Sequence, residues 1–547
     1  MVITDFLERN ARFHGREVAL VEVNPTEERD NAETWKEASL IELAMPDAPY
    51  RRELKWEEFD KMANRFASLL LGRGATRGMK VGILMMNCLE WLPIYFGILK
   101  AGCTVVPLNY RYTSDEIKYC VDLADIEVLI FGPEFIGRLD EIAGTMPTIR
   151  ELLFVGKQEL TPDYALSFES VIRYFANAPV PVTLHEDDIA AIYFSSGTTG
   201  FPKAILHKHS ALVASCETEQ NHHGQTHNDV FLCIPPLYHT GAKMHWFGSL
   251  LSCSKTVILR GIKPEWILRT VTEEKCTIVW LLVPWAQDIL DAIDDGRIKL
   301  DNYLTEQWRL LHIGAQPVPP SLIKRWLKYF PHHDYDTNYG LSESLGPGCV
   351  HLGIGNIDKV GAIGKAGYHW ETKIIHPDGS EVAPGEVGEL AVKGPGVMVE
   401  YYKNPEATAE ILHGEWLWTG DMAKADEDGF IYLVDRKKDV IISGGENLYP
   451  VQIEDYLRAN DKIKDVAVIG LPEPRLGEIA AAIIELKPGV SATEEEINEF
   501  CKDLPRYKRP RKIIFDDVPR NPTGKIEKPV LRERYNAIPL VEAQIRS

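Results

Sequence analysis

The sequence predicts an α/β protein: a large N-terminal domain of mostly parallel α/β subdomains, a barrel-like β subdomain, and a small α+β C-terminal domain. Three observations carry this expectation. Short apolar runs alternate with helical periodicity as far as Leu310–Ile313, the pattern of βαβ units in a sheet covered on both faces. After about residue 360 the strands are short and separated by Gly/Pro turns, which suggests antiparallel or barrel-like pairing. The charged stretch Asp435-Arg-Lys-Lys-Asp439 then reads as a break before a compact β/α tail of roughly 110 residues, a size that can fold alone. The expected limits are 1–435 for the N-terminal domain, with its β-rich part at about 360–435, and 436–547 for the C-terminal domain.

Taken in order, Trp56, Phe59, Met62, Ala63, Phe66, Leu69 and Leu70 recur at helical spacing. Val81–Met86 is a short apolar run, Glu90–Lys100 is helical, and Thr104–Pro107 is strand-like. Thr113–Leu123 is helical again with Thr113 or Ser114 as N-cap, and Glu127–Phe131 closes the series. Strands resume at Ile189–Phe194, Asp229–Ile234, Thr256–Leu259, Thr277–Val283 and Leu310–Ile313. Gly361–Lys365, Thr372–His376 and Gly388–Val392 follow, around turns such as Pro377-Asp-Gly379 and Pro384-Gly385.

At 547 residues, with 45% hydrophobic and 26% charged residues, the chain has the balance of an ordinary soluble protein and needs no disulfide or structural metal to hold a core. Sixty Lys+Arg against eighty Asp+Glu leave a net charge of −20, which argues against nucleic acid or an anionic membrane surface as partner. A small anion in a locally positive pocket stays open. Nine scattered cysteines without a C-x-x-C pair read as reduced thiols. Asp5 and Glu8 stand where a signal peptide needs basic residues, and Lys100, Pro93, Pro284 and Asp288 interrupt the longest apolar stretches. A cytoplasmic protein with no integral membrane segment is therefore expected. The oligomeric state is open, a homodimer among the options.

The strongest chemical signal is Tyr193-Phe-Ser-Ser-Gly-Thr-Thr-Gly-Phe-Pro-Lys203. Glycines let consecutive backbone N–H groups face one anion, and the hydroxyls with Lys203 add donors, a composition suited to a triphosphate. It is not a Walker A loop, because Ala204 follows the lysine and the glycine spacing differs.

This segment resembles the phosphate loop of the acyl-adenylate-forming (AMP-binding) superfamily, and four further segments match in the family's order. Tyr339-Gly-Leu-Ser-Glu343 is similar to its Y-G-x-T-E segment, Trp418-Thr-Gly-Asp421 to its T-G-D, and Asp435–Asp439 with Gly445 and Pro450 to its hinge segment. Pro519-Arg-Asn-Pro-Thr-Gly-Lys525 matches its C-terminal lysine loop. The resemblance implies ATP, Mg²⁺ and coenzyme A as reactants and a mobile C-terminal domain. It assigns ATP or AMP to Ser195, Ser196, Gly197, Thr198, Thr199, Gly200 and Lys203, and to Gly314, Ala315, Gln316, Pro317, Thr337, Asn338, Tyr339 and Gly340. Glu343 becomes the Mg²⁺ ligand, and Ser342 a donor to the α-phosphate where relatives more often carry Thr. Asp421 can accept both ribose hydroxyls, Arg436 reaches ribose or phosphate, and Lys525 faces the α-phosphate as pyrophosphate leaves. Lys438 and Gly445 fall at the hinge and the thioester step.

For the acid, Ile234-Pro-Pro-Leu-Tyr-His-Thr-Gly-Ala242 contains no carboxylate to pair with a substrate ammonium, so the resemblance is to acyl- and aryl-CoA synthetases. Tyr238, His239, Gly241 and Trp246 are the expected acyl-site residues, His239 flanking the carboxylate. Gly241, Gly346 and Gly348 are expected to leave room beside Trp246, Trp280 and Trp285 for an apolar slot, although plain core packing is the commoner fate of such tryptophans. A fatty or aryl acid fits. Two alternatives stay open: a stand-alone adenylation enzyme that loads a carrier protein, and a non-catalytic acyl-binding protein. Ile442 and Ser443 stand where some relatives have lysines near the thioester site. The clusters His222, His223, His227 and His332-His333-Asp334 read as loop histidines rather than metal ligands. The basic run Pro505–Lys512 suits either coenzyme A phosphates or solvent.

Overall fold

The computed structural model describes residues 1–25, 49–195, 202–314, 318–443, 446–520 and 526–536. Two seven-stranded sheets dominate it. The first runs Leu166–Ser167, Glu151–Phe154, Ile126–Phe131, Lys80–Leu84, Thr104–Pro107, Ile189–Ser195, Lys203–Lys208. Only its last pair is antiparallel, with Ser195 opposite Lys203. The second runs Asp334–Asp336, Leu310–Gly314, Ile278–Leu282, Val230–Cys233, Lys255–Leu259, Val18–Val23, Arg51–Lys55, again parallel except for the last pair. The N-terminal strand Val18–Val23 thus crosses into the later sheet, a long-range pairing that local periodicity carries no sign of.

The helices follow the predicted spacing. Trp56–Gly72 and Trp91–Lys100 bury Trp56, Phe59, Phe66, Trp91 and Phe96 almost completely, at roughly 2–3 kcal/mol per large apolar side chain. Thr113 is the N-cap of Ser114–Ala124: its hydroxyl accepts the Glu116 N–H while the Glu116 carboxylate accepts the Thr113 N–H.

A buried ionic network joins the two sheets. Glu22 on the second sheet lies 2.7 Å from Arg52 and 3.8 Å from Arg260, and also accepts the Leu89 N–H beside the first. Arg52 reaches Glu90 at 2.7 Å, and Arg260 reaches Glu134 at 3.3 Å. Burial alone would raise the Glu22 carboxyl, but the Arg260 and Arg52 charges outweigh it and hold the pKa below its ordinary value.

The β-rich antiparallel part begins earlier than expected, at Asn338–Leu341 with Gly346–His351, and continues through Glu371–Ile375, Gly388–Lys393, Trp416–Ala425 and Ile431–Arg436. The expected strand Gly361–Lys365 does not form as one piece. Gly361 and Gly364 take φ of +104° and +112°, and a Cβ on Gly364 would lie 1.7 Å from the His351 carbonyl oxygen, so only Lys365–Ala366 pairs as strand. A separate five-stranded sheet, Glu446–Leu448, Ile441–Ser443, Gly477–Leu486, Ile463–Glu473 and Lys512–Phe515, forms the C-terminal core. All nine cysteines are buried and free. Among the described residues no helix is long and apolar enough to cross a membrane.

Candidate active site

The hairpin Ile189–Ser195/Lys203–Lys208 brackets the glycine-rich loop, whose residues Ser196, Gly197, Thr198, Thr199 and Gly200 lie outside the described residues. Ala315, Gln316, Pro317, Gly445 and Lys525 also lie outside them. The outer edge of Lys203–Lys208 pairs with residues 399–402 through Val399 N–H to Leu206 O (2.9 Å), Leu206 N–H to Glu400 O (3.0 Å) and Tyr402 N–H to Ala204 O (2.8 Å). That register delivers Tyr401 to the site. The Lys203 ammonium sits 4.7 Å from the Tyr401 ring centroid, and the Tyr401 hydroxyl donates to Glu343 Oε1 at 2.7 Å. Burial, then the Glu343 charge, push the Tyr401 phenol well above its usual range, so it stays a donor. Glu343 is half-buried in the turn Ser342–Ser344, which is held from below by His207 Nε2–H donating to the Ser342 carbonyl at 2.8 Å. Lys203, Ser342 and Glu343 are therefore neighbours, through a tyrosine that motif reading did not single out; its one trace was the Tyr401-Tyr402 pair after a Gly/Pro turn.

A second cluster forms on the β-rich part. Asp421 and Arg436 face each other across an antiparallel pair, with Arg436 Nε 3.6 Å from Asp421 Oδ1. The Tyr339 hydroxyl donates to Asp421 Oδ2 at 2.5 Å. Burial and the Asp421 charge raise the Tyr339 phenol well above its usual pKa, so it too remains a donor. Gly340 pairs with Pro347 in the same ladder, and the Thr337 N–H donates to Asp336 at 2.8 Å.

The third cluster joins the strand end at Gly314 to the segment around His239. His239 caps the helix Thr240–Ser252: its Nδ1 accepts the Gly241 N–H at 3.1 Å, which places the ring proton on Nε2. Tyr238 meets Tyr110 edge-on at 5.2 Å. A Cβ on Gly241 would lie 3.1 Å from Trp280 Cη2, and one on Gly314 would lie 3.3 Å from Trp280 Nε1, so one indole spans both glycines. The expected partners of this indole need correction. Trp246 is fully buried against Phe59 and Phe96, Trp285 packs in the core of the second sheet, and Gly348 faces Thr218. The first two occupy interior helix faces whose burial alone accounts for them.

At the junction to the C-terminal sheet, Lys438 lies exposed in the turn Lys437–Asp439, and partial desolvation of its ammonium lowers its pKa. Asp435 is buried rather than part of a solvated break: its carboxylate accepts the Arg436 and Val451 N–H groups at 2.7 and 2.9 Å. The histidines also differ from expectation. His222 and His223 close the helix His209–His223; His223 is buried among Glu219, Asp336 and His312, and His333 packs against Trp308, Trp326 and Phe330.

The chain matches the AMP-binding enzyme family over residues 29–402 and the AMP-binding enzyme C-terminal domain over residues 452–525. It is 31% identical to the long-chain-fatty-acid–CoA ligase FadD13 of Mycobacterium tuberculosis, covering 88% of this chain and 93% of that one. To the putative acyl–CoA ligase YdaB of Bacillus subtilis it is 30% identical, covering 91% and 99%. The crystal structure of the anthranilate CoA ligase AuaEII in complex with anthranoyl-AMP superposes with a TM-score of 0.84 at 26% identity, covering 98% and 97%. The chain therefore belongs to the AMP-binding enzyme family, in its acyl-CoA ligase branch, and is an AMP-forming acid–thiol ligase.

Proposed function

We propose that this ligase joins a fatty or aryl carboxylic acid to coenzyme A through an acyl-adenylate bound where the three clusters converge, working as a cytoplasmic enzyme. The observation that carries the reading is the contact chain Lys203–Tyr401–Glu343, which couples the glycine-rich hairpin to the carboxylate after Tyr339. Lys203 meets the charge of the outer phosphates. Tyr401 engages Glu343 Oε1 and leaves Oε2 to face a hard cation, so Glu343 would hold Mg²⁺ together with the nucleotide phosphates, the ion supplying charge neutralisation there. Asp421, aligned by the Tyr339 hydroxyl, accepts the ribose hydroxyls, and Arg436 reaches the same nucleotide.

His239, with its proton on Nε2, donates to the acid's carboxylate and orients one oxygen toward the α-phosphorus. That oxygen forms the new P–O bond as the bond to pyrophosphate breaks, with Lys525 stabilising the charge on the α-phosphate. In the second step the coenzyme A thiolate attacks the acyl carbonyl and AMP leaves, after the 436–547 domain rotates about Lys438 with Gly445 near the thioester site. The absence of a carboxylate in Ile234–Ala242 supports an acid without an ammonium group. Mass-spectrometric detection of acyl-CoA with free coenzyme A, beside a phosphopantetheinylated carrier protein given the same acid, tests the acceptor. Thioester on the carrier alone would reject coenzyme A.

A further inference from the structure

The N-terminal helix Ile3–His14 docks on the end of the helix Thr240–Ser252. Asn10 Nδ2 donates to the Leu250 carbonyl at 2.8 Å, and Arg9 donates to the Leu250 and Leu251 carbonyls at 3.3 and 2.5 Å. Two helix C-termini therefore meet, with His14 closing the first and Cys253 capping the second. His227 joins them from the loop before the strand Val230–Cys233. Of the cluster His222, His223 and His227, it alone lies outside the helix His209–His223.

His14, His227 and Cys253 each offer one ligand atom, and these atoms lie within 4.8 Å of one another. A tetrahedral ion with bonds of about 2.0–2.3 Å sets its ligand atoms about 3.5 Å apart, so side-chain shifts of about 1 Å close the three on one centre. Glu17 clamps both rings: Oε1 lies 2.9 Å from His14 Nδ1 and Oε2 lies 2.9 Å from His227 Nε2. A carboxylate only accepts, so in each neutral ring the proton sits on the nitrogen beside Glu17 and the other nitrogen keeps its lone pair. A carboxylate behind the imidazole is the usual support of a metal-bound histidine.

The charge suits a dication. A Cys253 thiolate and the Glu17 carboxylate supply two negative charges, and the two helix C-termini add partial negative charge. Cys253 takes φ of +57°, at a cap where glycine or asparagine is usual, and its sulfur stands with the two rings. His14, Glu17 and His227 reach solvent while Cys253 is buried behind them, so an ion has a path in. Burial, and after it the Glu17 charge, push the thiol up to about 12 against the opposing Arg9 charge, so a bound ion displaces one proton to water. We propose that His14, His227 and Cys253 bind one borderline-soft divalent cation of the Zn²⁺ type, with Glu17 holding the histidines and water in the fourth position. Mixed imidazole and thiolate ligands select such an ion over Mg²⁺, which takes oxygen, so this site is distinct from the one at Glu343. The ion ties the N-terminal helix to the far end of the helix that His239 caps.

The test uses the full chain without an affinity tag, stripped with a chelator and titrated with Co²⁺ or Zn²⁺ alone. One Co²⁺ per chain should bind with a thiolate-to-metal charge-transfer absorption, and Zn²⁺ should displace it. Cys253→Ser should remove that absorption. His14→Ala and His227→Ala, both at solvent-reaching positions and checked by circular dichroism, should each weaken Zn²⁺ binding at least about tenfold. Zn²⁺ should raise the Tm of the wild-type chain and leave that of the double histidine variant unchanged. Stoichiometric Co²⁺ without the absorption, no binding at all, or an affinity untouched by both histidine substitutions overturns the proposal. No acid, ATP or coenzyme A enters the assay, so its outcome is separate from that of the ligase reading.

Discussion

Tyr401→Phe isolates one bond at the centre of the site. The substitution keeps the ring 4.7 Å from the Lys203 ammonium and removes only the hydroxyl that donates to Glu343 at 2.7 Å. A hydrogen bond to a charged group contributes about 1.5–3 kcal/mol, and the half-buried position of Glu343 places this one toward the lower end. At about 1.4 kcal/mol per factor of ten, kcat/KM for MgATP should fall roughly 10- to 30-fold. The loss should be largest at limiting Mg²⁺, because on the proposed reading the bond aims the carboxylate that would hold the ion. Tyr401→Ala also removes the ring, a cation–π contact of about 0.5–1 kcal/mol, and should cost a further factor of about three. Steady-state pyrophosphate release over a Mg²⁺ titration measures both. A Phe variant within twofold of wild type at limiting Mg²⁺, or an Ala variant no worse than Phe, refutes the coupling of Lys203 to Glu343 through this tyrosine.

The remaining predictions concern the frame and the two half-reactions. Glu22→Ala leaves Arg52 and Arg260 without their shared buried carboxylate and should destabilise the N-terminal domain by about 3–5 kcal/mol, seen as a lowered Tm; a change under about 1 kcal/mol contradicts the locking role. Burial raises Asp435 to about 6 despite the opposing Lys528 charge. With an unfolded value of about 3.9, its protonated form favours the fold below that pH, and the contribution, at most about 3 kcal/mol, is lost as pH rises through about 6. The stability of Asp435→Asn relative to wild type should therefore improve between pH 4 and pH 7, and a flat difference rejects the burial argument. Lys525→Ala should lose adenylation yet still convert supplied acyl-AMP to thioester; equal loss of both steps removes the lysine from the α-phosphate.

The alternating parallel architecture was legible because buried strands and amphipathic helices leave different periods in the chain, and Thr104–Pro107 falls on its predicted bounds. Gly361–Lys365 misled because its apolar spacing is that of a strand while its glycines take left-handed turns. Val18–Val23 was missed because its partner Lys255–Leu259 lies more than two hundred residues away. Residue types that announce phosphate chemistry, Lys203, Glu343 and Asp421, stood out locally. Tyr401 and the His223–Asp336 network did not, since their roles come from tertiary register and from burial, which no local spacing encodes.

The central claim is that a carboxylic acid is joined to the α-phosphate of ATP before any thiol is needed. Isotope exchange of labelled pyrophosphate into ATP, run without coenzyme A, tests it most directly. The account predicts exchange that appears only when an accepted acid is added and that vanishes in Glu343→Ala. Thioester formation without any acid-dependent exchange would contradict it.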